Sequence, residues 1–180
     1  MISILILLVL AWAFYIGYSR GLVLQVFYSI GALVAILLAG SHYQSWVKLL
    51  SLWVPYASPG EGANTYFYPA SQLFDLDQVF YAGLAFLLVF TVVYCLVRLL
   101  GIFAHLVPNY FEDVLWANLV SGVLSLLVTA FVLQMLLTIL STVPLPLVQN
   151  QLNSGLARMM IQSPLTGDYL KNIWMTQITR

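Results

Sequence analysis

Four long apolar runs, almost free of charge, occupy residues 2–16, 22–39, 79–97 and 119–143 and are separated by polar breaks. A hydrocarbon core of about 30 Å needs about 20 apolar residues of helix at 1.5 Å rise each. The third and fourth runs meet that length and the second is just long enough. The first reaches it when Gly17 and Tyr18 extend it. Helices are therefore expected over about 2–18, 22–39, 79–97 and 119–143. The fold class is all-α, a polytopic membrane protein with four transmembrane helices, an interfacial aromatic-rich loop and an amphipathic C-terminal tail.

Composition agrees. Charged residues make up 7% of the chain and hydrophobic residues 62%, against roughly a quarter charged in soluble domains. So much apolar surface requires lipid to cover part of it. The formal net charge is zero and no basic patch occurs, which argues against nucleic acid as a partner. The single cysteine, Cys95, forms no intramolecular disulfide and is read as a small buried apolar residue. The N-terminal run lacks a basic n-region and a small-x-small cleavage site, and is read as a retained helix.

The first two runs are joined by Gly17-Tyr18-Ser19-Arg20-Gly21, a break short enough to impose an antiparallel hairpin. Arg20 is the sole charged residue before Lys48 and sits where a guanidinium snorkels to headgroup phosphates. Residues 41–77 form a long connection rich in Trp and Tyr, suited to the membrane interface. Within it, residues 42–54 place Trp46, Leu49, Leu50 and Trp53 on one helical face. Arg98 closes the third run, and Pro144 and Pro146 stop the fourth. A four-helix transmembrane domain thus covers residues 1–146 and an amphipathic tail covers 147–180. In that tail Val148, Leu152, Leu156, Met159 and Met160 recur at helical spacing, and residues 168–178 add one short helix. The first tail piece is expected to lie on the membrane surface or dock on the loop.

Two lines of small residues have four-residue spacing. One is Gly31, Ala35 and Ala39; the other is Ala117, Ser121, Ser125 and Thr129. In lipid, close backbone packing drives helix association, so helices two and four are expected to form the central pair. Arg20 and Arg98 abut helix ends on one side, which places that side in the cytoplasm and both termini outside it.

Reactive chemistry has little support. Among His42, His105, Cys95 and the carboxylates, only Asp75/Asp77 and Glu112/Asp113 lie close together. Both pairs sit at helix entries, where acids complement the helix dipole. No metal and no cofactor are expected. A Ser–His dyad of His105 with Ser121 or Ser125 lacks a G-x-S-x-G context, so no catalytic residues are assigned. Gln134 is the most polar group deep within a helix and is read as an interhelical hydrogen-bond donor.

At Gly17-Tyr18-Ser19-Arg20-Gly21-Leu22, followed by Gln25, the chain resembles the colicin V production protein (CvpA) family, whose first hairpin reads Arg-Gly-hydrophobic with an acidic or amide residue a turn later. Ala39-Gly40-Ser41-His42-Tyr43 is similar too, as is Arg98-Leu99-Leu100 followed by a proline-containing connector. Asn153-Ser154-Gly155-Leu156-Ala157, Ser163-Pro164 and Trp174 resemble the tail of Gram-positive members. The sequence departs from the family pattern in two places. No acid stands near the start of helix one. In helix four, Ala117 and Ser121 replace glycines and Leu124 replaces a basic residue. The resemblance implies a multi-pass protein of the bacterial cytoplasmic membrane, linked to bacteriocin or toxin production and export and to envelope homeostasis. It implies no catalytic or cofactor-binding residues. The reading is a non-enzymatic scaffold or accessory factor whose partners are the lipid bilayer, other membrane proteins and its own copies. Its residues of interest are Gly17, Arg20, Gly21, Arg98, Gln134 and the two small-residue faces. The alternative is a small oligomeric transporter or channel subunit, with a membrane enzyme third.

Overall fold

The computed structural model describes residues 2–60, 65–104, 114–153, 155–164 and 166–175. His105, Pro108, Glu112, Asp113, Ser154 and Arg180 lie outside the described residues, as do residues 176–178 of the expected last helix.

Every regular element among the described residues is helical. Four helices are long and apolar enough to cross a membrane: α1 (Ile2–Arg20), α2 (Leu22–His42), α4 (Leu76–Ala104) and α5 (Leu115–Ser141). Between α2 and α4 lie α3 (Gln44–Trp53) and a 3-10 turn over Ala70–Asp75. After α5 come α6 (Pro146–Leu152), α7 (Gly155–Ile161) and α8 (Thr166–Met175). The spans run past the apolar windows because a helix in lipid keeps its backbone hydrogen bonds internal until it reaches water.

Local chemistry sets the boundaries. Gly21 alone separates α1 from α2, and its φ of 86° is open to glycine but costly for other residues. Pro146 occupies the first turn of α6, where its missing N–H costs nothing. Gly155, at φ 59°, begins α7 in a new direction. The helical spacing of Val148 through Met160 is therefore split into two short helices.

The packing corrects the expected central pair. α1 lies along α5 and α2 along α4, whereas α1 and α2 touch each other little. The two small-residue lines serve different partners. Gly31 faces Val97 of α4, where an added Cβ would come within 2.2 Å of Cγ1. Ala35 and Ala39 are fully buried against Val79, Ala82, Ala85 and Phe86 of the same helix. Ser121 and Ser125 face α1 at Gly17. Each stripe allows close approach, but to the helix on its own side. Outward faces carry Leu8, Trp12, Leu33, Leu37, Leu96 and Phe103, all exposed for lipid to cover. Cys95 is also exposed, which corrects its expected burial.

The C-terminal segment is built into the bundle. α7 buries Ala157 and Ile161 against Ile6 of α1 and Leu137 of α5. α8 buries Leu170 and Trp174 among Tyr43, Phe86, Met135 and Ile139. The aromatic loop closes the same end. Tyr56 Oη donates to Thr142 O at 2.8 Å, and Tyr66 N donates to Gln149 Oε1 at 3.2 Å. Gln149, 1% exposed, returns its amide to Ser141 O and Val143 O at 2.9 and 2.8 Å. Its side chain thus satisfies carbonyls that the end of α5 leaves open.

Candidate functional site

Two clusters concentrate the polar chemistry, one at each end of the bundle. The first is built on the α1–α2 break. Gly17 lies so close to α5 that an added Cβ would stand 2.3 Å from Ser125 Cβ and 2.7 Å from Ser121 O. This approach lets Ser121 Oγ donate to Gly17 O, with Gly21 O 3.1 Å away. The carbonyls at the end of α1 have no intrahelical donors, and a serine of the neighbouring helix supplies one. Ala117 is fully buried one turn before Ser121.

Arg20 emerges from this knot. Its Nη1 donates to Gln25 Oε1 at 3.2 Å, and its guanidinium lies 4.9 Å from the centre of the Tyr28 ring. Arg98, from α4, lies 5.1 Å from the centre of the same ring. Gln25 and Tyr28 are themselves buried, at 1% and 6% exposure. The Tyr28 ring rests on Gly101, where a Cβ would come within 2.3 Å of the phenol oxygen. Both arginines line a crevice of about 240 Å³ between α1, α4 and α5. Arg20, Arg98, Gln25 and Tyr94 line it together with Ser125 and Thr129 and with Trp12, Val128 and Val132. Sequence reasoning had Arg20 and Arg98 separately and quoted Gln25 as part of the hairpin pattern. It missed Tyr28 and Gly101. A glycine three residues past Arg98, on a segment read as connector, was the available signal.

The second cluster centres on Gln134, which lies about 10 Å along the axis from the Ser141 end of α5 at 1.5 Å per residue. Its Nε2 donates to Met160 O at 2.7 Å and its Oε1 accepts from Thr166 Oγ1 at 2.6 Å. Ser163 Oγ sits 3.0 Å from Thr166 Oγ1. One amide therefore holds the turn between α7 and α8, and both helices pack against α5, α7 on its α1 side and α8 on its α4 side. Gln134, read from the sequence as an interhelical hydrogen-bond donor, donates from α5 to α7 of the tail. Beside α8 an apolar cavity of about 470 Å³ is lined by Ala32, Ile36, Phe90, Phe131, Thr166 and Tyr169.

Near this end, burial governs the titratable groups. It pushes the Tyr68 phenol up to about 12. Burial, followed by the Asp77 carboxylate, does the same for Tyr56. Burial also lowers Lys171, whose ammonium lies 5.8 Å from the centre of the Tyr68 ring. Among the described residues no three His, Cys, Asp or Glu side chains stand together to hold a metal ion. The hydroxyl of Ser121, one half of the imagined dyad, is engaged with backbone carbonyls, and His105 lies outside the described residues.

Four helices long and apolar enough to cross a membrane, an aromatic loop closing one end and a tail folded back on the bundle define a polytopic α-helical membrane protein. The family model of the colicin V production protein matches residues 2–164, and the chain belongs to that family. It is 26% identical over 178 residues to the uncharacterized transmembrane protein YshB of Bacillus subtilis (strain 168), across 97% of each chain. No solved structure matches it.

Proposed function

We propose that the protein is a non-catalytic accessory factor of the bacterial cytoplasmic membrane, acting in toxin or bacteriocin production and export and in envelope homeostasis by binding other membrane proteins. Family membership supports the biological setting. The observation that carries the non-catalytic reading is the use of hydroxyls and amides within the spans. Ser29 Oγ donates to Gln25 O, Ser121 Oγ to Gly17 O, Thr138 Oγ1 to Gln134 O, and Gln134 Nε2 to Met160 O. These groups hold the protein's own backbone instead of lining a reaction centre. The broad exposed apolar faces of α1 and α4 offer membrane-embedded surface to a partner helix.

Photocrosslinkers at Leu8 and Leu96, two exposed positions on those faces, test the proposal in living cells. Discrete adducts with another membrane protein are expected, alongside a deletion strain impaired in bacteriocin release or survival of envelope stress. Adducts with lipid alone, together with solute flux through purified protein in liposomes, would contradict it. A second reading, a small oligomeric transporter subunit, is favoured by one observation. The crevice and the apolar cavity both include Val128 in their linings, so they meet on α5. The flux measurement separates the two readings.

A further inference from the structure

We propose that the Arg20–Arg98 crevice is a binding site for one anionic lipid, with its phosphate held between the two guanidiniums and an alkyl chain seated below them. Both guanidiniums sit against one ring, at 4.9 and 5.1 Å from its centre, so they lie no more than about 10 Å apart, the screening length at about 0.1 M salt. Two like charges at this spacing repel, and the fold nevertheless fixes them there. Gln25 holds Arg20, Tyr28 is wedged on Gly101, and both side chains are buried. Among the described residues no carboxylate pairs with either arginine. A phosphate accepts charge-assisted, bidentate hydrogen bonds from guanidinium groups and offsets their repulsion.

The crevice beneath selects a lipid over a free anion. Its charged groups are Arg20 and Arg98, and apart from Gln25, Tyr94, Ser125 and Thr129 its lining is apolar, with Val9, Trp12, Ile16, Val128 and Val132. A volume of about 240 Å³ admits part of one alkyl chain beneath one headgroup. Simple snorkelling of each arginine into bulk headgroups needs neither a shared ring nor a crevice. The site is independent of the accessory role proposed above and stands or falls on lipid binding.

The test is native mass spectrometry of the full chain, released from nanodiscs of equal phosphatidylglycerol and phosphatidylcholine. One retained phosphatidylglycerol per chain is expected. Removing one guanidinium should weaken that retention roughly tenfold. Arg98→Gln carries this arm, because the Arg98 side chain is exposed and its loss leaves the core intact; Arg20→Gln repeats it where the protein remains monodisperse. Thr129→Phe, which fills the crevice and leaves the charges in place, should weaken retention by a similar factor. Lys48→Gln should leave it unchanged. Equal retention of the two lipids, or retention indifferent to Arg98→Gln and Thr129→Phe, would overturn the proposal. Displacement of the lipid by millimolar inorganic phosphate would reassign the site to free phosphate. If wild type retains no lipid but the Glu112→Gln/Asp113→Asn double variant does, the connector's own carboxylates neutralise the arginines and the proposal fails.

Discussion

α3 and α8 are both ten-residue amphipathic helices beyond the spanning segments, yet the fold treats them in opposite ways. α3 has no buried residue. It rests on α4 through the half-buried Val47 and Leu50, while Trp53 is 79% exposed and Trp46 42%. α8 buries Gly167, Leu170 and Trp174, the last completely. Amphipathicity is common to the two, so it does not decide the outcome. What differs is the surface each helix meets. Trp174 enters a space that exists because residue 83 is glycine; a Cβ there would lie 3.1 Å from the indole and 2.9 Å from Ile139. Gly167 lets α8 approach the Ile161 carbonyl, and Gln134 ties down the turn before it. No such recess receives Trp53, which remains free for the membrane interface, where indole rings are favoured.

The largest effect should come from removing the two tryptophans in turn. Trp174→Ala empties a fully buried site and should cost about 3–5 kcal/mol, whereas Trp53→Ala should stay within about 0.5 kcal/mol. Reversible unfolding of each variant in detergent measures the difference, and equal losses would erase the contrast between the helices. Gly167→Ala is next. Its Cβ would meet the Ile161 backbone oxygen at 2.7 Å, and overpacking against backbone should cost about 1–3 kcal/mol. Gly60→Ala, with nothing within 4 Å, is the silent control in the same unfolding assay.

Gln134→Leu should be milder. It removes the partner of Met160 O and Thr166 Oγ1, and intramembrane hydrogen bonds of this kind contribute about 0.6 kcal/mol on average and at most about 1.7. Its signature is local: proteolysis or exchange of residues 155–175 should accelerate while α3 is unaffected. If α3 loosens equally, Gln134 supports the whole bundle and not the turn between α7 and α8. A further effect appears only at alkaline pH. Tyr68 titrates near 12 in the folded protein against an ordinary value of 10. Below pH 10 the ring is neutral in folded and unfolded chains alike, and its contribution is fully present. From pH 10 toward 12 the unfolded chain ionises first, so that contribution is lost as pH rises through the folded value. Phenolate absorbance should therefore show two late-titrating tyrosines, Tyr56 and Tyr68, of which Tyr68→Phe removes one.

Much of the fold was legible because bilayer thickness imposes a length on apolar runs, and the four spans stand out whatever they pack against. The breaks were legible too: Gly21 marks the α1–α2 junction and the prolines mark the end of α5. Helix pairing was not. Gly31, Ala35 and Ala39 announce a face that tolerates close approach, but any helix can use such a face, and α4 rather than α5 does so. The polar clusters were partly visible. Arg20, Arg98 and Gln134 stood out by rarity in an apolar chain, whereas their meeting with Tyr28 and Thr166 depends on contacts between distant segments. Gly101, Gly83 and Gly167 carried the missing information, since each is a place where a neighbour's side chain or backbone requires the absence of a Cβ.

Hydrogen exchange of the full chain in nanodiscs compares the two ten-residue helices directly. Amides of α8 around Leu170 and Trp174 should exchange as slowly as those in the middle of α5, and amides of α3 between Trp46 and Trp53 should exchange markedly faster. Exchange of α8 at the rate of α3 would mean that the tail lies loose on the membrane surface and would contradict its placement inside the bundle.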